Sequence, residues 1–187
     1  VDTGYYQLPT NVRITADDAG IAILGPGVAN GMWASYPGLV MADTPLAWYR
    51  FGEGSGTTAA DASGHGLDGS YVNGVALGLP GALSGGGNTA AGFDGANDYV
   101  DLPDGFSNFS NGLTLEMWMY PTAANSSARL FDLGNGSASN NIYFSRQAAN
   151  NNLVLQIYSG TTAGGSLVAS NILEFNKWQH IVAAVDA

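Results

Sequence analysis

Apolar and polar positions alternate in twos along much of this chain. From Leu113 to Tyr120 the apolar set Leu113, Leu115, Met117 and Met119 interleaves with Thr114, Glu116, Trp118 and Tyr120. Successive strand side chains point to opposite faces. This stretch therefore predicts one strand, with the Leu/Met set turned into a core and Trp118 and Tyr120 on an outer or concave face. The same reading predicts short strands over residues 46–51, 69–77, 91–94, 99–102, 128–133, 141–146, 153–159, 167–173 and 178–185, punctuated by Gly, Asn and Ser. Strands this short and this regularly spaced predict a β-sandwich.

The pattern changes near Asp43-Thr44-Pro45. Upstream, residues 11–15 and 19–24 read as two short strands or an extended arm, too small to bury a core alone. Residues 30–42 carry Met32, Trp33, Tyr36, Leu39 and Met41, more large apolar groups than a flexible linker holds. They read as an assembly interface. The expected organisation is an attachment arm over residues 1–44 and a sandwich over 45–187.

Composition narrows the function. Of 187 residues, 45% are apolar, which suffices for a core, and the 27 glycines with only 11% charged residues argue against long amphipathic helices. Fifteen acidic and five basic residues leave a net charge of −10. A phosphate backbone or an anionic bilayer needs a Lys/Arg surface, so nucleic acid and membrane insertion are not expected as partners. With no Cys, no disulfide braces the fold, which suits a bacterial or viral setting better than an animal extracellular one.

Five phrases occur in order: Pro45-Leu46-Ala47-Trp48-Tyr49-Arg50-Phe51-Gly52-Glu53; Asp61-Ala62-Ser63-Gly64-His65-Gly66; Phe93-Asp94-Gly95-Ala96-Asn97-Asp98-Tyr99-Val100; Leu113 to Met119; and Trp178-Gln179-His180-Ile181-Val182. Together they resemble the concanavalin A-like, laminin-G/pentraxin-like jelly roll. The resemblance implies an all-β, antiparallel two-sheet sandwich that usually binds rather than catalyses. In that family a turn and further strands follow the Trp-x-His-Ile-Val strand. The jelly roll is thus expected to lack its last strands here, with a longer chain, a neighbouring subunit or the arm supplying them. The arm and its junction at Val40 to Tyr49 resemble phage tail and virion proteins that carry such domains. The function implied is a non-enzymatic structural and recognition protein of an extracellular or virion assembly, contacting neighbouring subunits or cell-surface glycan. The alternative is a carbohydrate-binding module of a secreted polysaccharide-degrading enzyme.

Catalytic signals are weak by comparison. Retaining glycoside hydrolysis needs two carboxylates roughly 5 Å apart, whereas the alternating positions of the Leu113 strand hold Glu116 alone. His65 and His180 accompany no Cys, no G-x-S-x-G elbow and no H-E-x-x-H spacing. Calcium is the cofactor to consider. The resemblance implies one at a sandwich edge, and Asp/Asn/Gly loops suit it because calcium takes six to eight oxygens. The candidate ligands are Glu53, Asp61 and Asp68 in one cluster and Asp94, Asp98 and Asp101 in another. The same sequences also make ordinary turns. For glycan, the candidates are Trp118, Tyr120, Tyr143 and Tyr158 as stacking surfaces, with Glu116, Arg146 and Gln156 as hydroxyl partners on the same outer face.

Overall fold

The computed structural model describes the backbone of residues 6–7, 13–17 and 20–24, and residues 36–83, 88–106, 108–134 and 140–185 in full. Fourteen strands and one short helix make the described chain almost wholly β. The chain falls into two compact units, residues 1–103 and 104–187.

In the first unit, β1 (Tyr6–Gln7), β2 (Arg13–Asp17) and β3 (Gly20–Leu24) form an antiparallel sheet in that order. Met32 and Trp33 lie outside the described residues. The helix α1 (Tyr36–Ala42) follows. Pro37 sits in its first turn, where a missing N–H costs nothing. The helix is closed by Asp43 and Thr44 amides donating to Val40 and Met41 carbonyls at 3.2 and 3.1 Å. The Tyr36 ring packs edge-on against Trp48, at 6.5 Å. Leu39 is half-buried and Met41 exposed.

Residues 46–51, expected as a strand, do not form one. Tyr49 makes a single bridge to Asp61, and Phe51 takes a positive φ of 53°. The Trp48 amide donates to a side chain, the Asp61 carboxylate, and its carbonyl accepts the Ala62 amide at 2.8 Å. Beyond them, β4 (Thr58–Ala59), β5 (Gly69–Val72) and β8 (Tyr99–Asp101) form one sheet, and β6 (Ala76–Pro80) and β7 (Thr89–Gly92) a hairpin. Gly69 is required by crowding: a Cβ there would lie 2.8 Å from Val100 Cγ1. Phe51 contacts Tyr49, Tyr71 and Phe93 with ring centroids 6.2 to 6.3 Å apart.

The second unit is a sandwich. One sheet pairs β9 (Leu113–Met119) with β14 (Gln179–Val185). The other runs β10 (Arg129–Leu133), β11 (Ile142–Arg146), β12 (Leu153–Ser159), β13 (Thr162–Ala169). All pairings are antiparallel. The expected alternation along β9 is observed: Leu113, Leu115, Met117 and Met119 are half-buried, while Thr114, Glu116 and Trp118 are exposed. Leu115, Met117, Met119, Ile181 and Ala183 from one sheet meet Phe144, Leu153, Leu155 and Phe131 from the other, with Leu173 between them in sequence. Burying each large side chain in such a core contributes about 1.5–3 kcal/mol.

The strand expected at 167–173 runs instead from Thr162 to Ala169. It pairs with β12 through the two-residue loop Gly160-Thr161, Ser159 opposite Thr162. Gly160 supplies the positive φ, 58°, that this turn demands. No helix among the described residues is long and apolar enough to cross a membrane.

Candidate functional site

The acidic loops come first, because the sequence offers them as metal ligands. Asp61 lies where residues 46–51 meet the 61–68 turn. Its Oδ1 accepts the amides of Trp48 (2.9 Å) and Ser63 (2.8 Å), and its Oδ2 the Ser63 hydroxyl (2.8 Å) and the Leu67 amide (3.1 Å). Partial burial alone would raise its pKa. The four donors outweigh that and hold its carboxyl well below the usual carboxylate range. Asp68 Oδ1 accepts the Asp61 amide at 2.8 Å, and the Tyr49 hydroxyl donates to the Leu67 carbonyl. Burial, with the nearby charges of Asp61 and Asp68, pushes the Tyr49 phenol up to about 12.

Glu53 is similarly occupied, accepting the Ala60 amide at 3.1 Å and the Tyr71 hydroxyl at 2.7 Å. Burial, then this bond, raises the Tyr71 phenol. Arg50, a neighbour in sequence, lies over the Trp48 ring at 5.5 Å. In the second cluster, Asp94 Oδ1 accepts the Ala96 and Asn97 amides at 2.7 and 3.3 Å, which lowers its pKa, and Asp98 Oδ2 accepts the Asp94 amide at 3.2 Å. This is a side-chain-closed turn. Asp101 sits on β8, exposed. Among the described residues, no three His, Cys, Asp or Glu side chains gather as a metal ion requires. As folded, Glu53, Asp61, Asp68, Asp94 and Asp98 accept main-chain amides.

One Ser–His contact occurs in the same loop. Ser63 Oγ lies 3.0 Å from His65 Nδ1 and 2.8 Å from Asp61 Oδ2. The serine is the middle member, and its proton goes to the carboxylate. This order, carboxylate–serine–histidine, differs from that of a nucleophilic triad, in which the histidine stands between the serine and the carboxylate. Ser63 is also buried.

The aromatic candidates divide between the two sheets of the second unit. Since both sheets turn their apolar sets to one core, their outer faces point in opposite directions, and the single platform expected from sequence is two. On the four-stranded sheet, Tyr143 and Tyr158 stack at 6.2 Å, and Arg129, 3.7 Å from Asp132, covers the Tyr143 ring at 3.5 Å. Gln156, opposite Tyr143, donates to the Gly165 carbonyl at 2.7 Å. These groups are largely spent on one another.

Arg146 does not belong to either outer face. It has the same parity as Ile142 and Phe144, so period two turns it inward, and it is only 4% exposed. Its guanidinium donates to the carbonyls of Asn150 (2.7 Å), Ala149 (2.7 Å), Asn125 (3.0 Å) and Ala124, and lies over Phe175 at 5.6 Å. It fastens residues 124–125 to the 147–150 turn and is not available to a ligand.

The outer face of β9 and β14 is different. The register sets His180 opposite Trp118 and Val182 opposite Glu116. The Trp118 and His180 rings lie 4.8 Å apart, tilted by 30°, and His180 Nε2 is 2.8 Å from Glu116 Oε1. Just past the strand ends, Tyr120 and Trp178 meet edge-to-face at 5.4 Å. Four rings and one carboxylate thus share one face. Trp118 is 38% exposed, and the Glu116 and His180 side chains 44% and 38%. No described donor other than His180 reaches Glu116, so its Oε2 stays open.

Sequence reasoning placed Trp118, Tyr120 and Glu116 here and missed His180 and Trp178. Their spacing of two, in Trp178-Gln179-His180, was the available signal; which strand they would pair with was not. A family model described as the concanavalin A-like lectin/glucanase superfamily matches residues 94–187, half of the chain. The chain belongs to this superfamily. The matched segment contains both sheets of the second unit and the Trp118 face, and laminin-G-type domains of the superfamily are in general binding folds. Comparisons with curated proteins and with solved structures return no match.

Proposed function

We propose that the chain is a non-enzymatic recognition protein whose laminin-G-type unit binds glycan on the outer face of β9 and β14. The observation that carries this reading is the cross-strand array of Trp118 with His180 and Tyr120 with Trp178, exposed beside the Glu116 carboxylate. Sugar rings offer apolar faces to aromatic rings and hydroxyls to a carboxylate, and this face supplies both. Catalysis finds less support. Across the ladder from Glu116 stands Val182 rather than a second carboxylate, and a lone carboxylate cannot act as both acid and nucleophile.

The setting we propose is an extracellular or virion-surface assembly, with neighbouring subunits as further partners. Two exposed apolar sites support contact with neighbours: Met41 on α1, and the edge strand β13, where Leu167 is 60% and Val168 40% exposed with no charged residue along the strand. The same face would serve a carbohydrate-binding module equally well.

The test is a glycan panel screened with the whole chain and with Trp118→Ala. Binding that falls at least about tenfold in the variant, with its melting temperature kept, supports the reading. Absence of binding by the wild-type chain, or undiminished binding by the variant, overturns it.

A further inference from the structure

We infer that Glu116 is the specificity determinant of the β9/β14 face and His180 its positioning residue, so that the face accepts uncharged, hydroxyl-rich saccharides and rejects those bearing carboxylate or sulfate. This rests on the glycan-binding reading above and adds to it the chemical class of the ligand.

The argument starts from charge. Residues 114–120, along β9 and just past its end, and 178–184, from just before β14 along it, contain no Lys or Arg, and the chain carries a net charge of −10. A saccharide stacked on Trp118 lies within a few ångströms of the Glu116 carboxylate. Two like charges about 5 Å apart at a protein surface repel by enough to disfavour an acidic sugar roughly tenfold, less in high salt. An uncharged ring meets no such barrier, and its hydroxyls donate to Oε2, which no described residue occupies.

His180 makes this geometry definite. One imidazole touches both functional groups: its ring lies 4.8 Å from the Trp118 indole, and Nε2 donates to Glu116 Oε1 over 2.8 Å. The register holds it there, opposite Trp118 and diagonal to Glu116. An exposed glutamate otherwise samples many rotamers, and fixing one before binding removes that entropic cost from the binding step. Thr114, at the far end of the β9 row, is exposed and carries no charge to oppose Glu116.

The experiment is calorimetric titration of the whole chain with the best-binding neutral oligosaccharide and with its uronic acid counterpart of the same linkage and length. The wild type is expected to prefer the neutral ligand about tenfold, and the preference is expected to shrink as salt rises. Glu116→Gln keeps a polar side chain but removes the charge; it is expected to weaken neutral binding about threefold to tenfold, through the lost charge-assisted acceptor, and to abolish the discrimination between the two ligands. His180→Ala is expected to weaken neutral binding about threefold to tenfold, and His180→Gln, whose amide can still donate to Glu116, to recover most of it. Equal wild-type binding of both ligands, discrimination that ignores salt, or discrimination that survives Glu116→Gln overturns this inference while leaving the Trp118→Ala result intact. Failure of Trp118→Ala to weaken any glycan overturns the underlying reading instead.

Discussion

Asp61 and Glu116 are both carboxylates beside a tryptophan and a histidine in the folded chain, and they are used in opposite ways. Asp61 sits in irregular backbone, where the amides of Trp48, Ser63 and Leu67 have no ladder partner and converge on it. Glu116 sits on β9, where alternate amides donate to β14 and the side chain stands out of the plane of the ladder, so its described partner is a side chain, His180. Main-chain donors demand acceptors wherever they are removed from water. A carboxylate in a loop is therefore consumed by structure, whereas one on a paired strand stays available to a ligand. The comparison separates the turn-forming candidates from the binding candidates better than residue type does.

The strongest test of this contrast uses Arg146, the cationic counterpart of Asp61. Arg146→Met strips four carbonyls of a buried charged donor and is expected to cost about 3–5 kcal/mol in chemical denaturation. A loss under about 1 kcal/mol would mean that the clasp is not needed. Asp61→Ala should follow, at about 2–4 kcal/mol, because three amides and a hydroxyl lose their acceptor together.

The same bonds set the acid response. The folded pKa of Asp61 lies below its unfolded value near about 3.9, so its contribution is complete above that value and disappears as pH falls through the folded one. The melting temperature should drop on acidification from about pH 5 to about pH 2, and drop less in Asp61→Ala, where Asp94 alone of the two depressed carboxylates remains.

The smallest expected effect is that of calcium. With Glu53, Asp61 and Asp94 serving as acceptors for their own backbone, exchange of calcium for chelator should leave the melting temperature unchanged. A rise with calcium would move these residues from turn formers to ligands.

Much of the second unit was legible in its sequence. Residues 113–119, 142–146, 153–159 and 179–185 form strands close to where alternation and punctuation put them. Legibility failed where the local pattern was weak or overruled. Thr162 to Ser166 contains Gly164-Gly165 and reads as a turn, and only pairing with β12 makes it a strand. Leu46 to Phe51 alternates well enough for a strand, but Asp61 captures the Trp48 amide and the ladder never forms. Helix α1 was hidden because its seven residues are too few to establish a 3.6-residue period. Arg146 was misassigned to an outer face although its parity with Phe144 already turned it inward.

The sequence alone determined the β class, the face on which each residue of Leu113 to Tyr120 lies, and the electrostatic character of the surface. These follow from period two and from counting charges, which are local or additive properties. The tertiary structure decided which strand lies beside which. Glu116, Trp118 and His180 are separated by more than sixty residues of chain at the widest, and no local rule brings them together; the antiparallel register of β9 and β14 does. The same dependence on non-local pairing split one imagined aromatic platform into two opposed faces and buried Arg146 among carbonyls, leaving the Trp118 face as the proposed site.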